Sequence, residues 1–221
     1  MVKNLPDIIE NVDNFYEGNL KKYYSIVVNE AQNLENPYHN YRHMMHVVWL
    51  CYQACQFYYG TLALSRREMR NLLIAALFHD FDHPGIMGND DLNIERAVRA
   101  FKKYIIEEDF VDQQNIISLM WATEYPYKTN SAELSLPHQI IRDADMGQCF
   151  ADAWIQQVLF GLGAEWEKNH SEILEAQVPF LNNLKFLIAT QWGKKTFTQQ
   201  VIDDKISEVN RLKELAKKAR Q

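Results

Sequence analysis

Five of the seven histidines fall between positions 39 and 83: His39, His43, His46, His79 and His83. Aspartates accompany the later ones, in Phe78-His79-Asp80-Phe81-Asp82-His83-Pro84-Gly85. The preceding run, Leu72 to Phe78, is apolar on every side and predicts a buried helix. Burying an uncompensated His79 and Asp80 at its end would cost several kcal/mol, so both need partners or a metal ion. His43 is expected on the core face of another helix with Val47 and Leu50, again a poor place for an unsatisfied imidazole. Asp145, in Arg142-Asp143-Ala144-Asp145-Met146, ends a further apolar stretch. His43, His79, Asp80 and Asp145 together mix nitrogen and oxygen donors. Such a set suits Mn, Fe, Zn, Ni or Mg and differs from a thiolate-rich structural zinc site. A carboxylate at a helix end, as expected for Asp80, can also bridge two ions.

The elements that must position these residues read as helices. Strict alternation is absent, and helical periodicity predicts helices over 7–15, 20–34, 41–59, 66–80, 91–107, 112–123, 135–145, 148–162, 166–191 and 198–218. Asn36-Pro37 should separate the second from the third, because the residue before proline avoids helical angles. Ser65 and Glu68 form a capping box for the fourth, and Pro84-Gly85 stops its continuation. Tyr125-Pro126 should end another. Pro179 lies inside an apolar helical pattern and should kink or divide that helix. In the last helix Ile202, Ile206, Val209, Leu212 and Ala216 make a packing stripe with a solvated back.

The chain has 221 residues, 47% of them apolar, with a formal net charge of −6. It can bury a sizeable core, and residues 1–221 are expected to form a single all-α domain. The acidic balance argues against duplex nucleic acid or an anionic membrane as partner. Three cysteines do not suggest a disulfide framework; Cys51 and Cys55, four apart, are expected as small core residues. Met1 to Pro6 lacks the apolar stretch of a signal peptide, and no apolar run approaches a membrane span, so a soluble, cytoplasmic protein is expected.

The ordered set His43, His79-Asp80 and Asp145 resembles the HD superfamily of metal-dependent phosphohydrolases, and within it the class I cyclic-nucleotide phosphodiesterases. Tyr38-His39-Asn40 followed by His43 resembles their Tyr-His-Asn-x-x-His signature. His79-Asp80-Phe81-Asp82-His83-Pro84-Gly85 resembles their His-Asp-x-Asp-His-Pro-Gly. Ala122-Thr123-Glu124 stands where they have Ala-Thr-Asp, Ala144-Asp145-Met146 where they have Ala-Asp-Leu, and Gln177-Val178-Pro179-Phe180 where they have Gln-Val-Gly-Phe. The resemblance implies a compact multi-helix HD fold and first-metal ligands at His43, His79, Asp80 and Asp145, with Asp80 bridging to a second ion. It implies His39 as general acid, His83 facing the bridging solvent, and Tyr38, Gln177 and Phe180 at the substrate. The chain departs from the family at His46 and Glu124, where aspartate is usual, and at Arg96, where histidine usually follows the glutamate. Only 32 positions separate Asp145 from Gln177, so a pocket loop is expected to be missing.

The chemistry expected is hydrolysis of a phosphodiester by a metal-bridged hydroxide, with a 3′,5′-cyclic nucleotide as leading substrate. Two other readings use the same residues. An HD-type nucleotidase or nucleotide pyrophosphohydrolase needs the metals without the purine clamp, and a nucleotide-binding signalling module would keep the fold without turnover. Five Trp and eleven Tyr leave room for an aromatic contact surface, and the oligomeric state stays open.

Overall fold

Leu72 to Phe78 are each fully buried, and the helix that carries them sits where its apolar surface decides, at the centre. Removing a Leu, Ile or Phe side chain from water contributes about 1.5–3 kcal/mol. A helix apolar on every side gains most when surrounded by others. The computed structural model describes residues 4–10 and 18–218, and among these it contains helices and no strand. The α-helices are α1 (Leu5–Ile9), α2 (Lys21–Glu30), α3 (Tyr41–Tyr58), α4 (Arg66–Phe78), α5 (Asp90–Tyr104), α6 (Gln113–Trp121), α7 (Leu136–Met146), α8 (Gly163–Glu165), α9 (His170–Leu187), α10 (Gln191–Thr196) and α11 (Gln199–Lys218). A π-helix, Ile155–Leu162, runs directly into α8, and short 3₁₀ turns cover 107–112, 131–133 and 147–150.

Helix α4 packs against α2, α3, α5, α6 and α7. A second apolar cluster lies between α9, α11 and the π-helix, and Phe150 and Ile206 pack against both clusters. The expected stripe on α11 faces this core, with Ile202 and Val209 buried and Ile206, Leu212 and Ala216 partly so. Cys51 and Cys55 are buried free thiols in the main core. No helix among the described residues is long and apolar enough to cross a membrane.

Several boundaries differ from the sequence expectation. The helix expected over 7–15 is described only as Leu5–Ile9; residues 11–15 lie outside the described part. The second helix ends at Glu30, ahead of a loop whose side chains serve the site. Residues 148–162 do not form one α-helix but a 3₁₀ turn, a break, and the π-helix. The span 166–191 also divides, although not at Pro179, through which α9 continues. It starts late because Asn169 accepts from Ser171 and Glu172 N–H groups, and Glu172 returns the bond in a capping box. It ends because the buried Asp143 carboxylate takes the next two amides, Ala189 N–H and Thr190 N–H, at 2.9 Å each. Thr190 in turn caps α10 through Gly193 N–H at 2.8 Å. The expected box at Ser65 and Glu68 is present.

The π-helix lies close to the segment that precedes Tyr38. A Cβ on Gly161 would stand 2.3 Å from the Pro37 carbonyl oxygen, a backbone atom with little freedom to retreat. Gly161→Ala is therefore expected to destabilise the fold by about 1–3 kcal/mol, the scale of forced overpacking. Urea denaturation checks this, and an unchanged midpoint would show that the contact is slack.

Candidate metal centre

Asn40 builds the first half of the site. It is the N-cap of α3: its side-chain oxygen accepts from Arg42 N–H at 2.9 Å and His43 N–H at 3.1 Å, while its Nδ2 donates to the Asn36 carbonyl at 2.8 Å. The cap satisfies amides that a helix start leaves unpaired. It also places His43 on the first turn, pointing into the core, and leaves His39 just outside the helix. Here the asparagine of the Tyr-His-Asn-x-x-His motif has a structural role, and the two histidines take different positions because of it.

The second half is the turn that follows α4. His79 and Asp80 stand just beyond the last helical residue, and Asp82 adopts φ +60, a left-handed angle that aspartate tolerates better than most residues. Asp82 Oδ1 accepts from Gln32 N–H at 2.9 Å, which holds the turn against the loop after α2. Gly85 also has positive φ, +68, and a Cβ there would meet the Asn36 side chain at 2.8 Å. Asn36 occupies that space to donate to the His83 carbonyl at 2.8 Å. Asn33 makes the central connection: its Nδ2 reaches the carbonyls of His39 (2.8 Å) and Asp80 (2.9 Å), and its Oδ1 accepts from Asp82 N–H (3.0 Å).

Four expected ligands converge. Nε2 of His43 and Nε2 of His79 are 3.3 Å apart. Asp80 Oδ2 lies 3.1 Å from the first and 3.2 Å from the second. Asp145 Oδ1, brought in at the end of α7, lies 3.1 Å and 3.8 Å from them. His79 donates from Nδ1 to the Ala76 carbonyl at 2.8 Å, which leaves Nε2 available to an ion. Asp80 Oδ2 is buried without a well-formed hydrogen bond. Metal–ligand bonds of about 2.1 Å at right angles would set neighbouring donors about 3 Å apart, so the donor spacing fits a divalent ion. In the protein alone, burial opposes charge on His43, yet the neighbouring Asp145 and Asp80 carboxylates outweigh it and raise the imidazole to about 10. His79 is raised in the same way, with burial overcome by Asp80. Asp80 is held well below the usual carboxylate range, since His79 and His43 outweigh its burial.

His39, His83 and Glu165 form a second group beside the first. Glu165 Oε2 binds Nδ1 of His39 at 2.5 Å, and its Oε1 accepts the backbone amides of Tyr38 and His39 at 2.9 Å each. Burial works against the Glu165 carboxylate, but these bonds win and lower its pKa. The His83 ring stacks on His39 with centroids 3.7 Å apart and planes 22° from parallel. Three ligand atoms of this group also lie within reach of one ion. Nearly parallel rings, however, send their lone pairs side by side instead of toward one point, so the trio is a hydrogen-bonded stack. His83 Nδ1 accepts from Gly85 N–H at 3.1 Å, and its Nε2 lies 3.0 Å from the Asn93 side-chain amide. Burial, and then the neighbouring His39, pushes it down to about 4. At neutral pH it is therefore uncharged and does not repel a cation on His39.

Both groups open on one cavity of about 390 Å³, whose walls include Tyr38, Gln177 and Phe180. The Tyr38 ring also stacks on His43, with centroids 5.0 Å apart. Every expected site residue thus gathers around this cavity, with His79 behind its floor. Of the positions that depart from the motif, Arg96 reaches the site through one residue, donating to Asn93 Oδ1 at 3.1 Å, and Asn93 in turn touches His83. Glu124 pairs with Lys128, and Glu95 faces Arg99 on an exposed helix surface. Sequence reasoning missed Glu165, Asn33 and Asn93. Glu165 did leave a signal, since it is the first charge after Asp152 in a stretch otherwise apolar or amide.

Comparison with known proteins agrees with this geometry. Residues 38–104 match the family model described as 3′5′-cyclic nucleotide phosphodiesterase, a span holding both histidine motifs but neither Asp145 nor Gln177. No curated protein matches the chain. Among solved structures, the phosphodiesterase domain of Salpingoeca rosetta rhodopsin phosphodiesterase is 18% identical with a TM-score of 0.66, covering 96% of this chain and 85% of that one. A second structure, of the phosphodiesterase domain of the RhoPDE fusion protein from the same choanoflagellate, is also 18% identical, with a TM-score of 0.64 and coverage of 96% and 88%. Residues 38–104 are thus similar to the 3′5′-cyclic nucleotide phosphodiesterase family, and over 96% of its length the chain shares the fold of a solved phosphodiesterase domain.

Proposed function

We propose that this chain is a divalent-metal-dependent phosphodiesterase that hydrolyses a 3′,5′-cyclic nucleotide, and that residues 1–221 act as one catalytic domain. The observation that carries the reading is the meeting of His43, His79, Asp80 and Asp145 with the Glu165-held His39 on a single cavity. Phe150 and Ile206, shared by the two apolar clusters, support a single domain. Three buried free thiols suit a cytoplasmic setting.

Divalent ions held by His43, His79, Asp80 and Asp145, with Asp80 able to contact two, would acidify a water and offset phosphate charge. The remaining steps belong to the protein. A water oxygen bonds to phosphorus and gives up a proton to solvent, the P–O3′ bond breaks, and the leaving oxygen takes a proton from Nε2 of His39, which solvent then restores. Glu165 holds Nδ1 of the same ring, which fixes its orientation and leaves Nε2 to act. General-acid assistance of this kind contributes about 10²–10⁴-fold. Gln177 and Phe180, one turn apart on α9, offer an amide for a base edge and a ring for its face. That pairing favours a cyclic nucleotide over a nucleotidase substrate, which needs no base clamp.

Alanine at His43, His79 or Asp145 is expected to remove most bound metal and abolish hydrolysis, with Asp80→Ala the most severe. Elemental analysis checks this, and full metal content in all four variants would end the proposal.

Metal uptake should also release protons. His43, raised to about 10, carries a proton at pH 7.5 in the metal-free protein and must lose it to coordinate. Titration with Mn²⁺ in buffers of different ionisation enthalpy should show release of about one proton or more per protein, and affinity should rise with pH. No release would show that His43 is already neutral in the metal-free protein.

His39→Gln should keep the metal yet lower kcat by about 10²-fold or more. The deficit should shrink on a nitrophenyl phosphodiester, whose leaving group needs little protonation. Equal deficits on both substrates would remove His39 from the acid role. Gln177→Ala should reduce kcat/KM for the cyclic nucleotide by about 1–3 kcal/mol, the cost of one lost buried hydrogen bond. An equal loss on the nitrophenyl ester would sink the base assignment alone.

A further inference from the structure

The segment between His83 and α5 presents two consecutive large apolar side chains to solvent at the mouth of the cavity. Ile86 is 60% exposed and Met87 65%, yet both line its wall. Tyr125, 43% exposed, stands on the same rim. Scattered apolar residues on a surface need no explanation, but a cluster around an opening calls for a ligand that covers it. The backbone beneath them is fixed. Met87 N–H donates to the Glu165 carbonyl at 3.2 Å, and Tyr125 N–H donates to Asp90 Oδ2 at 2.7 Å. The rim is thus preorganised, and Met87 is tied to the residue that holds His39.

We propose that Ile86 and Met87 form a specificity-determining rim that covers the base of the substrate once it is bound, Met87 contributing most. This rests on the cyclic-nucleotide reading above. The Ile86 and Met87 side chains carry no hydrogen-bonding hydrogen, so they contact base faces and read no edge. It favours phosphodiesters that carry a flat aromatic group, and it leaves choice among bases to Gln177. Thioether side chains suit such a contact because they are polarizable and adapt to irregular surfaces.

The test uses the metal-loaded full chain and cyclic AMP. Withdrawing about 50 Å² of apolar contact corresponds to a five- to tenfold weaker hold, so Met87→Ser should raise KM by about that factor. The change should fall on KM more than on kcat, because Met87 touches none of the reacting atoms. Met87→Phe should lower KM. Leu62→Ser serves as control, being a fully exposed apolar residue outside the cavity wall. A KM for Met87→Ser equal to wild type, or an equal rise in Leu62→Ser, overturns the rim while leaving the substrate reading standing. A wild-type enzyme that cleaves a nitrophenyl phosphodiester but neither cyclic AMP nor cyclic GMP overturns both.

Discussion

The site depends on one buried amide. Neither the segment 31–40 nor the turn 79–85 belongs to a helix, so neither has a backbone ladder to hold it. Asn33 joins them with three hydrogen bonds, to the carbonyls of His39 and Asp80 and from the amide of Asp82. Each bond made contributes only about 1 kcal/mol net, whereas a buried group left without one costs about 1–3 kcal/mol. The pressure to keep all three is correspondingly strong, and it sets the spacing between His39 and the cluster of His43, His79 and Asp80. Asn36 and Asn40 repeat the device on either side.

Around this joint, charge is arranged in two separate cells. In one, two imidazoles and two carboxylates neutralise each other within an apolar core. In the other, Glu165 answers His39 alone, with His83 kept neutral as a flat spacer. The division gives the two histidines of one motif unlike partners: two carboxylates meet His43 at Nε2, and one holds His39 at Nδ1. A ligand must hold an ion steadily, while an acid must give up its proton once per cycle.

Much of this was legible in the residues. The apolar run of α4 told its own burial, and the histidine and aspartate spacing told which side chains would meet. The cap at Asn40 was hidden in plain view inside the motif. Glu165, Asn33 and Asn93 were not legible, because each acts on groups far along the chain and shows no period or spacing of its own. The breaks near 151–154 and 188–190 were hidden for a related reason. Local propensity favoured helix across 188–190, but Asp143, some forty-five positions earlier, claims the amides that helix would need. A one-dimensional pattern records which residues prefer helix, and not which distant acceptor will outbid the next turn.

Pro179 gives the Gln177 and Phe180 end of the cavity a mechanical character of its own. Helix α9 passes through it unbroken, but proline has no N–H to return to the carbonyl of Glu175. The turn that carries Gln177 and Phe180 is therefore missing one strut of its scaffold, while the walls bearing His43 and Asp145 keep theirs. Compliance in this protein is concentrated beside Gln177 and Phe180 and withheld where His43 and Asp145 meet.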